Sequence, residues 1–383
     1  MQCRFEDRLA GRALNLHDPV QRIEAGHASQ LPQAWEAIEA ARRAGHWVAL
    51  LLDYELGEWL APETTLAPPA GPIPADRRAD APRLAALVFR RMCIEPPWSG
   101  SDAMHAAGIE SVSHRLAQAD YLRHIEHIRT LIEAGELYQM NYTQPLDVRV
   151  QGSPRLLYER IATAQPVAHA AYIEDAHRTV LSFSPELFVR RDGARLTTRP
   201  MKGTAPRHPD PAEDLRLGNE LLASAKNRAE NLMIVDLLRN DLGRLAEPGS
   251  VQVPSLFSLE RYPTVWTMTS TVTALAPRAT LADVAQALFP CGSVTGAPKV
   301  AAMRRIRQLE IAPRGLYCGA IGWLAPDGDF SLNVAIRTLV LDKRGHGIYS
   351  VGGGIVHDSD PGQEWQECLW KARILQHAMQ RQH

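Results

Sequence analysis

Residues 350–372, SVGGGIVHDSDPGQEWQECLWKA, decide how the chain is read. An apparent strand runs into Gly352, Gly353 and Gly354, and a helical stretch follows in which Glu364, Glu367 and Lys371 share one face. Trp365, Cys368, Ala372 and Leu375 form the apolar row beside them. A Glu/Lys face is ordinarily solvated. A glycine run after a strand, however, predicts consecutive exposed backbone N–H groups, so strand, glycines and helix together can cradle a carboxylate or phosphate.

Residues 229–241, AENLMIVDLLRND, show a second anomaly. Glu230, Met233, Ile234, Leu237, Leu238 and Asp241 fall on one helical face, which places two carboxylates in an apolar stripe. A buried charge needs a partner, so each is expected to meet either a buried arginine or Mg2+. RPMKGTAPR, residues 199–207, puts Lys202 at a strand end. Such a lysine is usually a surface charge, but desolvation or neighbouring positive charge can make it a nucleophile. PCGSVTGAPK, residues 290–299, lacks the G-x-x-x-x-G-K-[ST] spacing of a nucleotide phosphate loop, leaving a close-packed turn or a ligand contact. His124 and His127 do not form HExxH and are expected to be solvated.

Around these segments the chain reads as α/β. A helix is expected over residues 33–44, a buried strand over 47–54, and irregular stretches over 61–83 and 95–113. Asp120 is placed as the cap of a helix that Gly135 ends, followed by a strand in GELYQMNYT. Strands are expected at 264–275 and 331–342, and helices at 215–245 and 363–379.

At 383 residues the chain can bury a large core. A formal net charge of -1 without blocks of like charge gives no footprint for nucleic acid, so an anionic substrate must be met by local charges. Five scattered cysteines without a CxxC pair favour a reducing cytoplasm over a disulfide framework or zinc site. The charged N-terminus does not resemble a secretory signal, and the apolar run at 47–52 is too short to span a membrane.

SFSPELF (182–188), RPMKGT, AENLMIVDLLRNDLGR (229–244), GSVTGAPK, YCGAIGW (317–323), NVAIRTL (333–339) and VGGGIVHDSDPGQEWQECLWKA together closely resemble the chorismate-utilising enzymes. That family includes anthranilate, isochorismate, salicylate and aminodeoxychorismate synthases. The resemblance implies a single large α/β body, two β-sheets packed face to face inside surrounding helices, with the site between them. Residues 1–113 would be the N-terminal portion and 114–383 the chorismate-binding catalytic domain.

Two positions of the resemblance separate the reactions. Water-adding members are similar in carrying a lysine in G-x-x-x-K-V-V-L-A-R, where this chain has Gln139, an amide that cannot act as a base. Anthranilate synthases resemble P-I-A-G-T, whereas aminodeoxychorismate synthases resemble P-I-K-G-T, and here the lysine is Lys202. Thr267 stands where many relatives have histidine in V-x-H-x-x-S, which weakens the anthranilate alternative. The implied activity is amination of chorismate toward para-aminobenzoate and folate, through a covalent bond to Lys202.

The same resemblance implies Glu186 as the acid that protonates the departing hydroxyl. It makes Glu230 and Glu367 ligands of Mg2+, with Glu364 assisting. Gly203, Thr204, Tyr317, Arg337, Gly353, Gly354 and Lys371 would contact chorismate. Arg337 could instead pair with Asp241. Because no cysteine/histidine pair stands in a glutaminase context, ammonia is expected from a glutamine amidotransferase subunit. A non-catalytic binding role is the remaining alternative.

Overall fold

The computed structural model describes residues 1–66, 82–100, 106–262 and 265–379. Thr264, expected to open a strand, and much of the two expected loops (67–81 and 101–105) lie outside these residues.

Antiparallel strands form two layers. In the first, Arg12–Ala25, Leu84–Glu95, Trp47–Leu52, Ala320–Leu324, Phe330–Val334, Leu187–Asp192, Arg195–Arg199 and Val265–Leu275 pair successively. Met201–Pro206 and Gln252–Arg261 both pair with the last of these. The second layer runs through Gln2–Asp7, His169–Glu174, Thr179–Ser184, Thr338–Leu341, His346–Ile355, Gln139–Gln151 and Gly108–His114. Pairing of Gln2–Asp7 with Arg12–Ala25 joins the layers into one network, 18-stranded among the described residues. Strands from before residue 113 therefore pair with strands from after it.

Strand alternation explains the layering. Ala49, Leu51, Ala85 and Leu87 of the first layer meet Cys3, Phe5, Ala171, Ile173 and Val180 of the second in a core between the sheets. Their neighbours Val48, Leu50, Leu52, Ala86 and Val88 face outward, into the core shared with Trp35 and Ile38 of the helix Leu31–Arg43. Leu157, Tyr158 and Ile161 of the helix Pro154–Ala164 cover the outer face of the second layer.

Several boundaries differ from expectation. Residues 95–113 are not wholly irregular, because Gly108–His114 is a strand on the edge of Gln139–Gln151. Asp120 does not cap its helix, which begins at Gln118 after Ala117, but Gly135 does follow its end with φ 76°. The helical stretch 215–245 is broken at Ser224 into Pro211–Ala223 and Ala225–Gly243, where Ser224 caps the second piece by accepting from Asn227 N. After Ala372 the last helix tightens into the 3-10 turn Arg373–Ala378.

The expected strand 331–342 is two strands, interrupted at residues 335–337, where Arg337 adopts φ 50°. There the chain crosses from the first layer to the second. Thr179–Ser184 and Leu187–Asp192 cross in the opposite direction beside it, with Glu186 in the gap. Val334 N donates to Glu186 O at 3.0 Å and Phe183 N to Arg337 O at 3.0 Å, which locks the crossings together. Two polar side chains are thus delivered where the layers separate.

Candidate active site

Lys202 comes from a bulge. Pairing with Val265–Leu275 passes from Met201↔Thr269 to Thr204↔Thr267, leaving one extra residue on the lysine's strand. Gly203 takes up the distortion with φ 85°, and a β-carbon there would meet Leu221 and Asn227 side chains at 3.0–3.1 Å. Thr267 Oγ1 donates to Gly203 O at 3.1 Å, so the threonine that replaces histidine holds the bulge. Burial lowers the Lys202 pKa; the charges of Glu230 and Glu186 oppose that, and Lys371 reinforces it. No carboxylate makes an ion pair with Lys202 among the described residues.

Glu186 is 4% exposed and accepts from Ser293 Oγ at 2.7 Å. Burial raises its pKa against the opposing effects of Ser293, Lys202 and the Met201 amide. Ser293 lies in the expected close-packed turn. A β-carbon on Gly292 would stand 2.4 Å from Leu237 Cδ2 on the helix Ala225–Gly243, and one on Gly296 2.3 Å from Gln139 O. The glycines therefore let the turn wedge between helix and strand while its serine reaches the acid.

The glycine run is not a free loop. Gly352, Gly353 and Gly354 pair with Thr143, Tyr142 and Asn141 inside the strand His346–Ile355. Their missing β-carbons matter more than exposed amides: a β-carbon on Gly353 would stand 2.9 Å from Glu364 Oε2 and 3.6 Å from Glu367 Oε1. One on Gly354 would stand 2.4 Å from Gln139 Nε2 and 3.1 Å from Lys202 Nζ. Gln139 is wholly buried, and neither polar atom of its amide has a hydrogen-bond partner among the described residues. Its value was legible only as the absence of a base.

On the helix Pro361–Ala372, Glu364 is buried and accepts from Ser359 Oγ at 2.7 Å. Burial raises its pKa, and the Glu367 charge adds to that. Burial also raises Glu230, which Glu367 pushes further up. Two carboxylates whose pKa values are raised in part by the charge of a third, over a floor without a β-carbon, suit a hard cation with oxygen ligands such as Mg2+. They are not drawn together: no metal-sized group of three or more His, Cys, Asp or Glu occurs among the described residues. Glu367 is instead paired with Lys371, Oε1 to Nζ 2.5 Å, and the charge of Lys371 lowers its pKa.

Arg337 makes no ion pair among the described residues, and burial lowers its pKa despite Tyr349 and Tyr262. A desolvated guanidinium lacking a counter-ion is a ready receptor for a carboxylate. The alternative pairing with Asp241 does not occur, since Asp241 meets Lys299 Nζ at 2.6 Å; one of the two striped carboxylates is structural. Tyr317 is buried, which pushes its phenol well up, whereas Thr204 is exposed. Of the two histidines, His127 is exposed as expected, but His124 is half-buried and bonded to the Tyr142 hydroxyl. Asn231, beside Glu230, carries no signal in the sequence; it is fully buried and accepts from Ser270 Oγ at 2.6 Å.

Lys202 thus lies within electrostatic reach of Glu186, Glu230, Glu367 and Lys371, and Glu186 and Arg337 stand at the crossings where the two antiparallel layers part. The chain belongs to the chorismate binding enzyme family, which it matches over residues 3–377. It is 40% identical over 307 residues to anthranilate synthase component 1 of Streptomyces coelicolor, covering 80% of this chain and 58% of that protein. It is 41% identical over 266 residues to aminodeoxychorismate synthase component 1 of Klebsiella aerogenes, covering 69% and 59%. The chain thus spans less than two thirds of these relatives. The crystal structure of anthranilate synthase component I from Streptococcus pneumoniae superposes with a TM-score of 0.81 at 24% identity, covering 95% of this chain and 92% of that one. Among the described residues, no helix is long and apolar enough to cross a membrane.

Proposed function

We propose that the chain is the aminating component of an aminodeoxychorismate synthase, converting chorismate and ammonia to 4-amino-4-deoxychorismate and water. The observation that carries this reading is Lys202 beside Glu186. Burial pushes the amine's pKa down and the carboxyl's up, toward a neutral nucleophile and a protonated acid.

The neutral Lys202 amine forms a C–N bond at ring carbon 2. The ring double bonds shift and the C4–O bond breaks, the hydroxyl leaving as water with the proton of Glu186. Ammonia then bonds to carbon 4, the double bonds shift back, and the C2–N bond to Lys202 breaks. The new ammonium returns a proton to Glu186. Arg337 and Lys371 receive the substrate carboxylates, while Gly203, Thr204, Tyr317, Gly353 and Gly354 line the ring's position. Glu230, Glu364 and Glu367 would hold Mg2+, which supplies charge neutralisation at the ring carboxylate. Ammonia would come from a glutamine amidotransferase subunit, and the product would feed para-aminobenzoate and folate synthesis in the cytoplasm.

The Streptomyces coelicolor relative favours a second reading, anthranilate synthesis. Thr267 speaks against it, because a threonine cannot remove the proton that aromatisation releases. Product analysis with chorismate, Mg2+ and ammonium decides between them. Aminodeoxychorismate supports the proposal; a fluorescent aromatic amine formed without an added lyase overturns it in favour of anthranilate.

A further inference from the structure

Lys371 occupies a peculiar position for a substrate contact. Its Nζ is bonded at once to Glu367 Oε1 at 2.5 Å and to the carbonyl oxygen of Gly352 at 2.6 Å. Glu367 Oε1 lies on the Gly353 side, 3.6 Å from where a β-carbon would stand, and Glu364 Oε2 faces the same point at 2.9 Å. The ammonium therefore holds the oxygen that faces the other carboxylate. Lys226 and Lys202 also act electrostatically on Glu367, but neither bonds to it among the described residues.

We propose that Lys371 is an internal cation that keeps Glu367 from a divalent metal in the unliganded protein, and that the substrate's carboxylate, by taking the ammonium, releases Glu367 to the metal. The inference rests on the reading of Glu230, Glu364 and Glu367 as metal ligands. Its physical basis is competition, since an ammonium and a divalent cation seek the same oxygen. It explains why the charge of Glu367 reaches both Glu230 and Glu364 without the three being gathered as a metal site. Because coupling free energies are reciprocal, chorismate and metal should each strengthen the other's binding, with Lys371 carrying part of that coupling.

Mn2+ serves as the probe, its binding to the full chain read from the electron paramagnetic resonance of the free ion. Without chorismate, Lys371→Met should bind Mn2+ roughly tenfold more tightly than wild type. Lys371→Arg, which keeps a cation against Glu367, should stay close to wild type, and Lys226→Met should change affinity by less than about twofold. Equal tightening in Lys371→Met and Lys226→Met would reduce the effect to net charge and overturn the inference, as would unchanged or weaker binding in a folded Lys371→Met. Glu367→Gln in the Lys371→Met background separates the two levels: if that double variant keeps the tightened Mn2+ affinity, the metal-ligand reading itself is overturned.

Discussion

Lys202 Nζ lies 3.1 Å from the point a β-carbon on Gly354 would occupy, so the nucleophile's position depends on a residue 152 places later having no side chain. The same point is 2.4 Å from Gln139 Nε2. Gly354→Ala should displace both side chains. Activity is expected to fall about 100-fold, the usual effect of misplacing a reacting group by an ångström. Overpacking should destabilise the fold by about 1–3 kcal/mol. Steady-state kinetics and thermal melting on one preparation check both; wild-type turnover would mean that the glycine does not position the amine.

Glu186 should oppose stability at neutral pH. Its folded pKa is raised by burial, so any stability it contributes is present below the unfolded pKa and is lost as pH rises through the folded pKa. Glu186→Gln keeps the shape and an acceptor for Ser293 but cannot ionise. It is expected to melt on the order of 2 °C higher at pH 7–8, with the advantage disappearing near pH 4, while turnover drops about 10²–10⁴-fold. Calorimetry at the two pH values tests the sign.

The Asp241–Lys299 pair predicts a purely structural phenotype. Lys299→Met leaves Asp241, 5% exposed, without its cation. The expected loss is about 3–5 kcal/mol of stability with the Michaelis constant unchanged. Changing Asp241 to Leu as well should restore much of the melting temperature. A rise in the Michaelis constant without a stability loss would place Asp241 in the substrate site instead.

Much of the candidate site is legible in the sequence because each element breaks a local rule. Carboxylates in an apolar stripe identified Glu230 and Asp241, although periodicity could not say that Lys299 would partner one of them. Three adjacent glycines marked the right strand, but their reason proved to be the space they leave for Glu364, Glu367, Gln139 and Lys202 rather than free amides. Arg337 was expected mid-strand; a positive φ at a crossing between layers is a property of the tertiary fold that apolar alternation conceals. The strand Gly108–His114, whose residues beyond Ile109 are polar and exposed except for the half-buried Val112, is an edge strand and lacks the alternation of a half-buried one. Ser293 offered only a serine among glycines as a signal, because its partner Glu186 is distant in sequence.

Mass analysis of peptides from the protein incubated with chorismate and Mg2+, without ammonia or glutamine, tests the central claim most directly. With the second nucleophile withheld, the adduct should persist: the peptide containing Lys202 is expected to gain the mass of chorismate less one water, and added ammonium should remove the gain while releasing aminodeoxychorismate. An unmodified Lys202 in a preparation that makes aminodeoxychorismate once ammonium is added, or product formation by Lys202→Ala at the wild-type rate, would contradict the account.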